Sequence, residues 1–457
     1  MLLRVFLKTQ LFSEMMYKGI FSNSRYLILI AGCFAVFFYS CTSQRVYNER
    51  HKVFIEEKDG KYTLIRNGKP YFMKGASGFT CLKKLKEAGG NTIRIYDTVN
   101  IGAVLNEADA NHLAVVVGIP IIDNKIMNDF YADRAKVAVQ FYAYKKIIEK
   151  YKNHPAVLMW CMGNELDFKL DAKYRNFYAA YNNLVDMVHR VDPNHPVTTT
   201  VVNVSRNNIC NIKIWTKTDL ISINSFGGLQ DLRKDLKSFS WFWKDPYLIL
   251  EWGINGPWWP NEDKTAWASY IEGTSSKKAE QYLQIYKQNL PIDDPRLLGS
   301  FVFYWGQKQE YTSTWYSMFY ENGAASEAVG MMQHIWTGKW PEHPAPQINY
   351  MFVDNRGALD NLIYKPGRTA NAEIFMVKPD SSISSVKWEI YHEDWYKKDN
   401  IKVLQKPIPI DSLFIGCENF KATFKTPVQE GPYRLFATVF DKFGNFATCN
   451  TPFYIVK

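Results

Sequence analysis

Residues 157–167 read VLMWCMGNELD: six apolar residues in a row, then Gly163, Asn164 and Glu165. An unbroken apolar run, rather than an alternating one, suits a strand covered on both faces, as in a parallel sheet flanked by helices. Such a strand delivers an amide and a carboxylate side by side at its C-terminal end. Similar runs recur along the chain. Strand candidates begin at Tyr71 (YFMKGA), Asn91 (NTIRIYD), Leu113 (LAVVVGIP), Ala156 (AVLMWCMGNE), Pro196 (PVTTTVV), Asp219 (DLISINSF), Pro246 (PYLILEWG) and Gly299 (GSFVFYW). Between them lie helix-like segments: LKKLKEAG after Cys81, AVLNEADANH after Gly102, amphipathic runs over 134–152 and 172–191, and KKAEQYLQIYKQNL before Leu298. Eight strand and helix pairs over roughly 240 residues predict an α/β fold, a (β/α)8 TIM barrel, with the domain spanning 53–340. A doubly wound open sheet is the alternative, but no glycine-rich phosphate loop follows the first strand.

In a barrel the chemistry sits where each strand hands over to the loop after it, so Glu165 points into the mouth. The seventh strand candidate, PYLILE, ends on a second carboxylate, Glu251. Strands four and seven lie across the mouth from one another. Two carboxylates facing each other over a cleft suggest cleavage of a glycosidic bond, one protonating the leaving oxygen while the other attacks the anomeric carbon. Separations of about 5–5.5 Å give retention and about 6.5–9.5 Å inversion.

The HPAV-x-x-W-x-x-GNE arrangement within 153–167 resembles the acid/base segment of glycoside hydrolase family 2, in the clan of retaining (β/α)8 glycosidases. LILEWG at 248–253 resembles that family's nucleophile strand, NTIRIYD at 91–97 its second strand with a site arginine, and NGKPYFMKGA at 67–76 its first strand. The likeness runs from about residue 53 to residue 340. It implies Glu165 as general acid/base, Glu251 as nucleophile, Asn164 on the sugar 2-OH, Arg94 beside Glu251 favouring its ionised form, and Trp305 stacking beneath the sugar. Each residue also has a plain structural reading: Glu165 capping a helix near Asp171, Arg94 pairing with Asp97, Trp305 filling the barrel. Trp258 and Trp259, in the loop after Glu251, fit either subsite platforms or a hydrophobic lid. Two departures stand out. Phe226 occupies the place of a tyrosine that hydrogen-bonds the nucleophile in many relatives, which calls the usual tuning of Glu251 into question. Only about 30 residues separate Cys41 from the first strand candidate, where typical members carry two β-domains. The barrel also resembles fungal-type β-1,3-glucan transferases, which keep the same two glutamates.

The first 41 residues read as a targeting segment. Residues 26–39 form a 14-residue apolar run, preceded by Lys18 and Arg25 and followed by Ser40-Cys41-Thr42-Ser43. This run is short for a membrane span and suits a signal peptide. It resembles a bacterial lipoprotein signal, apart from Phe38 and Tyr39, and implies lipidation of Cys41, export, and attachment at the cell envelope. An uncleaved anchor or plain secretion is the alternative, and Met15 or Met16 is a candidate start. The net charge of +10 reads as a scattered lysine-rich surface, with no nucleic-acid motif. Five cysteines follow Cys41 without paired spacing; Cys417 and Cys449 are the one candidate pair. The histidines lack ligand spacing, so no metal or cofactor is expected. The 16% aromatic share fits a sugar cleft or a large core. After a proline-rich PEHPAPQI, short alternating runs over 346–457 predict an immunoglobulin-like β-sandwich, read as a spacer packed on the barrel rather than a glycan binder. Three functions fit: a retaining β-glycosidase acting on oligo- or polysaccharide, a β-glucan transglycosidase, and a non-catalytic glycan-binding protein on a barrel scaffold.

Overall fold

The computed structural model describes residues 52–122, 124–260, 262–393 and 406–457, so the targeting segment and Cys41 lie outside them. Among the described residues no helix is long and apolar enough to cross a membrane. Three strands come first, β1 (Val53–Lys58), β2 (Lys61–Arg66) and β3 (Lys69–Pro70), in an antiparallel sheet that the sequence reading passed over. Their charged faces and brevity hide the two residues that matter, Val53 and Leu64, which are buried against the barrel.

Eight parallel strands then close into a barrel in chain order: β4 (Met73–Gly78), β5 (Thr92–Ile95), β6 (Ala114–Ile119), β7 (Val157–Met162), β8 (Val197–Val202), β9 (Leu220–Asn224), β10 (Tyr247–Trp252) and β11 (Leu297–Trp305). All eight coincide with the apolar runs above. They are legible because both faces are covered: Met73, Val116, Met159, Leu248 and Phe301 fill the interior, while Ile93, Val117, Trp160 and Ile249 meet the helices. The helices are set by local chemistry. Asp133 accepts from the backbone of Ala135 and Lys136 to start Arg134–Tyr151, and Thr274 accepts from Lys277 to start Ser275–Gln288. In Arg175–Val191 a stripe of Phe177, Tyr181, Leu184 and Val188 is buried. Helices at Met127–Ala132, Arg206–Trp215, Leu229–Phe239 and Glu327–Thr337 add to those expected.

The small sheet sits at the N-terminal end of the barrel. Val53 N–H donates to Asn194 O, Tyr62 N–H to Pro295 O, and Arg66 Nη2 to Pro155 O, each acceptor just ahead of a barrel strand. At the other end of the sequence, two sheets form a sandwich of immunoglobulin-like type. One runs β12 (Ala325–Ser326), β20 (Asn445–Ile455), β19 (Gly431–Asp441), β16 (Ile383–His392), with β14 (Ile363–Tyr364) beside β20. The other runs β13 (Ile348–Val353), β15 (Thr369–Met376), β18 (Lys421–Lys425), β17 (Phe414–Glu418). Cys417 and Cys449 do not pair, because they lie in different sheets, one exposed and one buried.

The sandwich is bound to the barrel by a buried polar network. Arg434 donates to Glu393 at 2.6 Å, Asn450 at 2.6 Å, Ser269 at 2.9 Å and Tyr270 O at 2.6 Å. Glu272 accepts from Lys278, Thr312, Thr314 and Asn450 at 2.6–2.8 Å. The barrel partners belong to the segments after β10 and β11.

Candidate active site

Strand period and its interruption place the side chains at the mouth. On β5, Ile93 and Ile95 face the helices and Arg94 faces inward, with Tyr96 following it two residues on. On β10, Leu248 and Leu250 are inward and Ile249 outward, so strict alternation would send Glu251 to the helices and Trp252 inside. The pairing slips between Ile249 and Glu251 against β9, and between Ile249 and Trp252 against β11. That irregularity reverses the two residues: Trp252 packs among the helices and Glu251 opens into the cleft. After β7, Gly163 at φ +83° and Glu165 at φ +54° turn the chain across the mouth. The turn is held by Glu165 N–H donating to Thr200 Oγ1 at 2.8 Å, and by Asn124, which donates to Glu165 O and accepts from Asp167 N–H.

One chain of hydrogen bonds joins the opposed carboxylates. Tyr96 Oη donates to Glu251 Oε1 at 3.0 Å, and Arg94 Nη1 donates to the same oxygen. Arg94 Nη2 donates to Asn164 Oδ1 at 2.5 Å, which also accepts from Asn224 Nδ2 at 3.1 Å and Thr200 Oγ1 at 3.2 Å. Asn224 Nδ2 reaches Glu165 Oε1 at 2.9 Å. With its oxygen committed to three donors, Asn164 presents its amide nitrogen to a ligand.

Burial sets the electrostatics. Glu251 is 5% exposed and Arg94 1%. Loss of water pushes the Glu251 carboxyl up to about 7; the Arg94 charge pulls it down, Glu165 pushes it further up, and the bonds from Arg94 and Tyr96 lower it. Desolvation thus outweighs the ion pair. Burial opposes the Arg94 charge, but Tyr96 and Glu251 more than compensate and raise its pKa. Burial, then the Glu251 charge, holds the Tyr96 hydroxyl well above its ordinary range, so it remains a donor.

A cleft of about 600 Å³ opens over these groups. Asn164, Glu165, Glu251 and Trp258 line it, and Arg94 lies beneath. Trp258 is 52% exposed on the rim, whereas Trp259 packs over Gly227. Trp305 does not form a floor for a ligand. It is 0% exposed, donates to Cys81 O, and packs on Phe319 and Trp336, while Phe303 and Tyr304 line the cleft instead. The plain readings of the other residues fare no better: Asp171 supplies its own cap, accepting from Lys173 N–H, and Arg94 turns to Glu251 rather than Asp97. Tyr96, Thr200 and Asn224 were missed by the sequence reading. The period-two spacing of Tyr96 from Arg94 is the signal that finds the first; Thr200 lies within β8, and Asn224 ends β9.

Comparison with known proteins follows the same lines. Residues 91–257 match the family described as glycosyl hydrolases family 2, TIM barrel domain. Among solved structures, the chain is similar to a β-D-glucuronidase of Dictyoglomus thermophilum, with 17% identity over 64% of this chain and 54% of that one at a TM-score of 0.48. It is also similar to a Bifidobacterium dentium β-glucuronidase in complex with coumarin-3-O-glucuronide (18%, 64% and 49%, TM-score 0.49) and to a Bacteroides fragilis protein described as a β-galactosidase (13%, 88% and 57%, TM-score 0.47). The chain spans about half the length of these proteins.

Proposed function

Taking residues 91–257 as part of a catalytic barrel of the glycoside hydrolase family 2 type, we propose that this protein is a retaining glycosidase that cleaves β-linked O-glycosidic bonds in oligo- or polysaccharides. The observation that carries the reading is the hydrogen-bonded chain from Tyr96 through Glu251, Arg94, Asn164 and Asn224 to Glu165, set over an open cleft. Glu251, ionised, attacks the anomeric carbon while Glu165 gives its proton to the departing oxygen. Glu165 then takes a proton from water, which attacks the same carbon and releases Glu251. Arg94 and Tyr96 hold the attacking oxygen in place, and the Asn164 amide meets the 2-hydroxyl. The leader supports export with lipid attachment at Cys41, a reading that labelled fatty acid, incorporated in wild type and absent in Cys41→Ala, would check.

The test is turnover of a panel of aryl β-glycosides and β-glucan oligosaccharides by the form starting after Cys41. Glu165→Gln should lose about 10²–10⁴-fold in kcat and Glu251→Gln at least as much, and the first product seen by NMR should be the β-anomer. Turnover surviving in Glu251→Gln would sink the mechanism; binding without turnover in the wild type would favour a glycan-binding protein. The exposed aromatics Phe79 and Trp258 on the rim favour transfer to a sugar acceptor as a second reading. Longer oligosaccharides appearing at high acceptor concentration would mark it.

A further inference from the structure

Building on the glycosidase reading, we propose that the cleft accepts uncharged glycosyl residues and rejects uronates, and that Asp97 and Glu310 impose this choice. The whole chain carries +10, yet its cleft does not share that sign. Among the described residues that line it, Lys308 is the one cation, against Asp97, Glu165, Glu251 and Glu310. Glu310 holds Lys308 at 3.1 Å, and Arg94, below the wall, is committed to Glu251 and Asn164. Every cation there is therefore already matched.

Glu165 and Glu251 belong to the reaction itself, which leaves Asp97 as the carboxylate at the mouth that no described cation pairs with. Its Oδ1 accepts from Val99 N–H at 2.8 Å, a bond that fixes the carboxylate at the mouth without neutralising it. The side chain is exposed and meets whatever enters. A uronate would bring a second carboxylate toward Asp97 with no open cation among the described lining residues to receive it, and like charges brought together at low ionic strength repel. A sugar hydroxyl in the same place donates to Asp97.

The experiment measures kcat/KM at low ionic strength on matched aryl glycosides: β-glucoside with β-glucuronide, and β-galactoside with β-galacturonide. The wild type should favour the uncharged member of a pair by at least about tenfold. Asp97→Asn keeps an acceptor oxygen for Val99 and removes the charge; Glu310→Gln releases Lys308. Each should narrow the preference, and the double variant should narrow it most. A wild type that prefers the uronide overturns the proposal, as does a preference unchanged in the double variant. If neither member of any pair is cleaved, the glycosidase reading falls and the charge choice is read by calorimetry on Glu165→Gln. Binding of cello-oligosaccharides but not oligogalacturonates then supports the proposal, and binding of oligogalacturonates, or of neither, overturns it.

Discussion

The hydroxyl on Glu251 comes from Tyr96, on the strand that also supplies Arg94, and not from residue 226, where a phenylalanine sits against Trp258, Phe303 and Tyr316. Because that bond favours the carboxylate, Tyr96→Phe should raise the Glu251 pKa and move the acidic limb of the kcat/KM profile to higher pH, with little change on the alkaline side. A limb that stays in place would show that the hydroxyl does not tune Glu251. In the wild type, activity should fall as pH drops through about 7, where Glu251 takes up its proton. The sign for stability is opposite. With the folded pKa above the ordinary 4.5, the stabilising effect of the neutral carboxyl is full below 4.5 and is lost as pH climbs through about 7, which denaturation midpoints of Glu251→Gln and wild type across that window would register. Glu165, Glu251, Arg94 and Asn164 could be placed near the mouth because each stands at or close to the C-terminal end of an apolar run, although the side that Glu251 takes depends on the slip in β10. Tyr96 was not, since its role depends on a carboxylate five strands later in the chain. Trp305 was misjudged for a related reason: ending a strand does not say on which side a ring falls, and here the helices claim it.

Two small residues shape the strand ends. A Cβ on Gly163 would stand 2.4 Å from Leu166 Cδ1, and the left-handed φ there already disfavours any side chain. Gly163→Ala should therefore cost about 1–3 kcal/mol in urea unfolding and lower kcat, because the turn that carries Glu165 must shift; an unaltered kcat would show that the turn does not aim the carboxylate. On β6, a Cβ on Gly118 would lie 2.6 Å from the Tyr96 carbonyl, so this glycine makes room for the chain that presents the tyrosine. The eight barrel strands could be read from the sequence because burial on both faces writes itself as continuous apolar text. The slip on β10 could not, since a bulge leaves composition unchanged and appears only in the pairing. Arg206–Trp215, rich in asparagine, buries only Ile209 and Ile212 and so reads as loop, whereas Leu229, Leu232 and Leu236 do mark the helix over Leu229–Phe239.

At the scale of the molecule, the sandwich and the segments that follow β10 and β11 share one ionic core around Arg434 and Glu272. Removing one partner strands a buried charge, so Arg434→Leu should destabilise the fold by about 3–5 kcal/mol. Adding Glu393→Leu should return part of that loss, and KM should rise more than kcat falls, since the same segments lead to Trp258 and Lys308 at the cleft. Denaturant titration of the single and double variants beside steady-state kinetics checks both halves. That antiparallel sheets follow the barrel was legible from the change of text after Trp340, but the network was not, because its members are scattered from 269 to 450 and only the fold brings them together. The β1–β3 sheet has a bearing of another kind. It seats Val53 at the end of the barrel opposite the mouth, so the barrel is floored from below by a few short strands that stay clear of the cleft. With its base stoppered on that side, the barrel as its described residues form it can be reached only from the rim where Asp97 and Trp258 stand, so one opening serves for both entry and release.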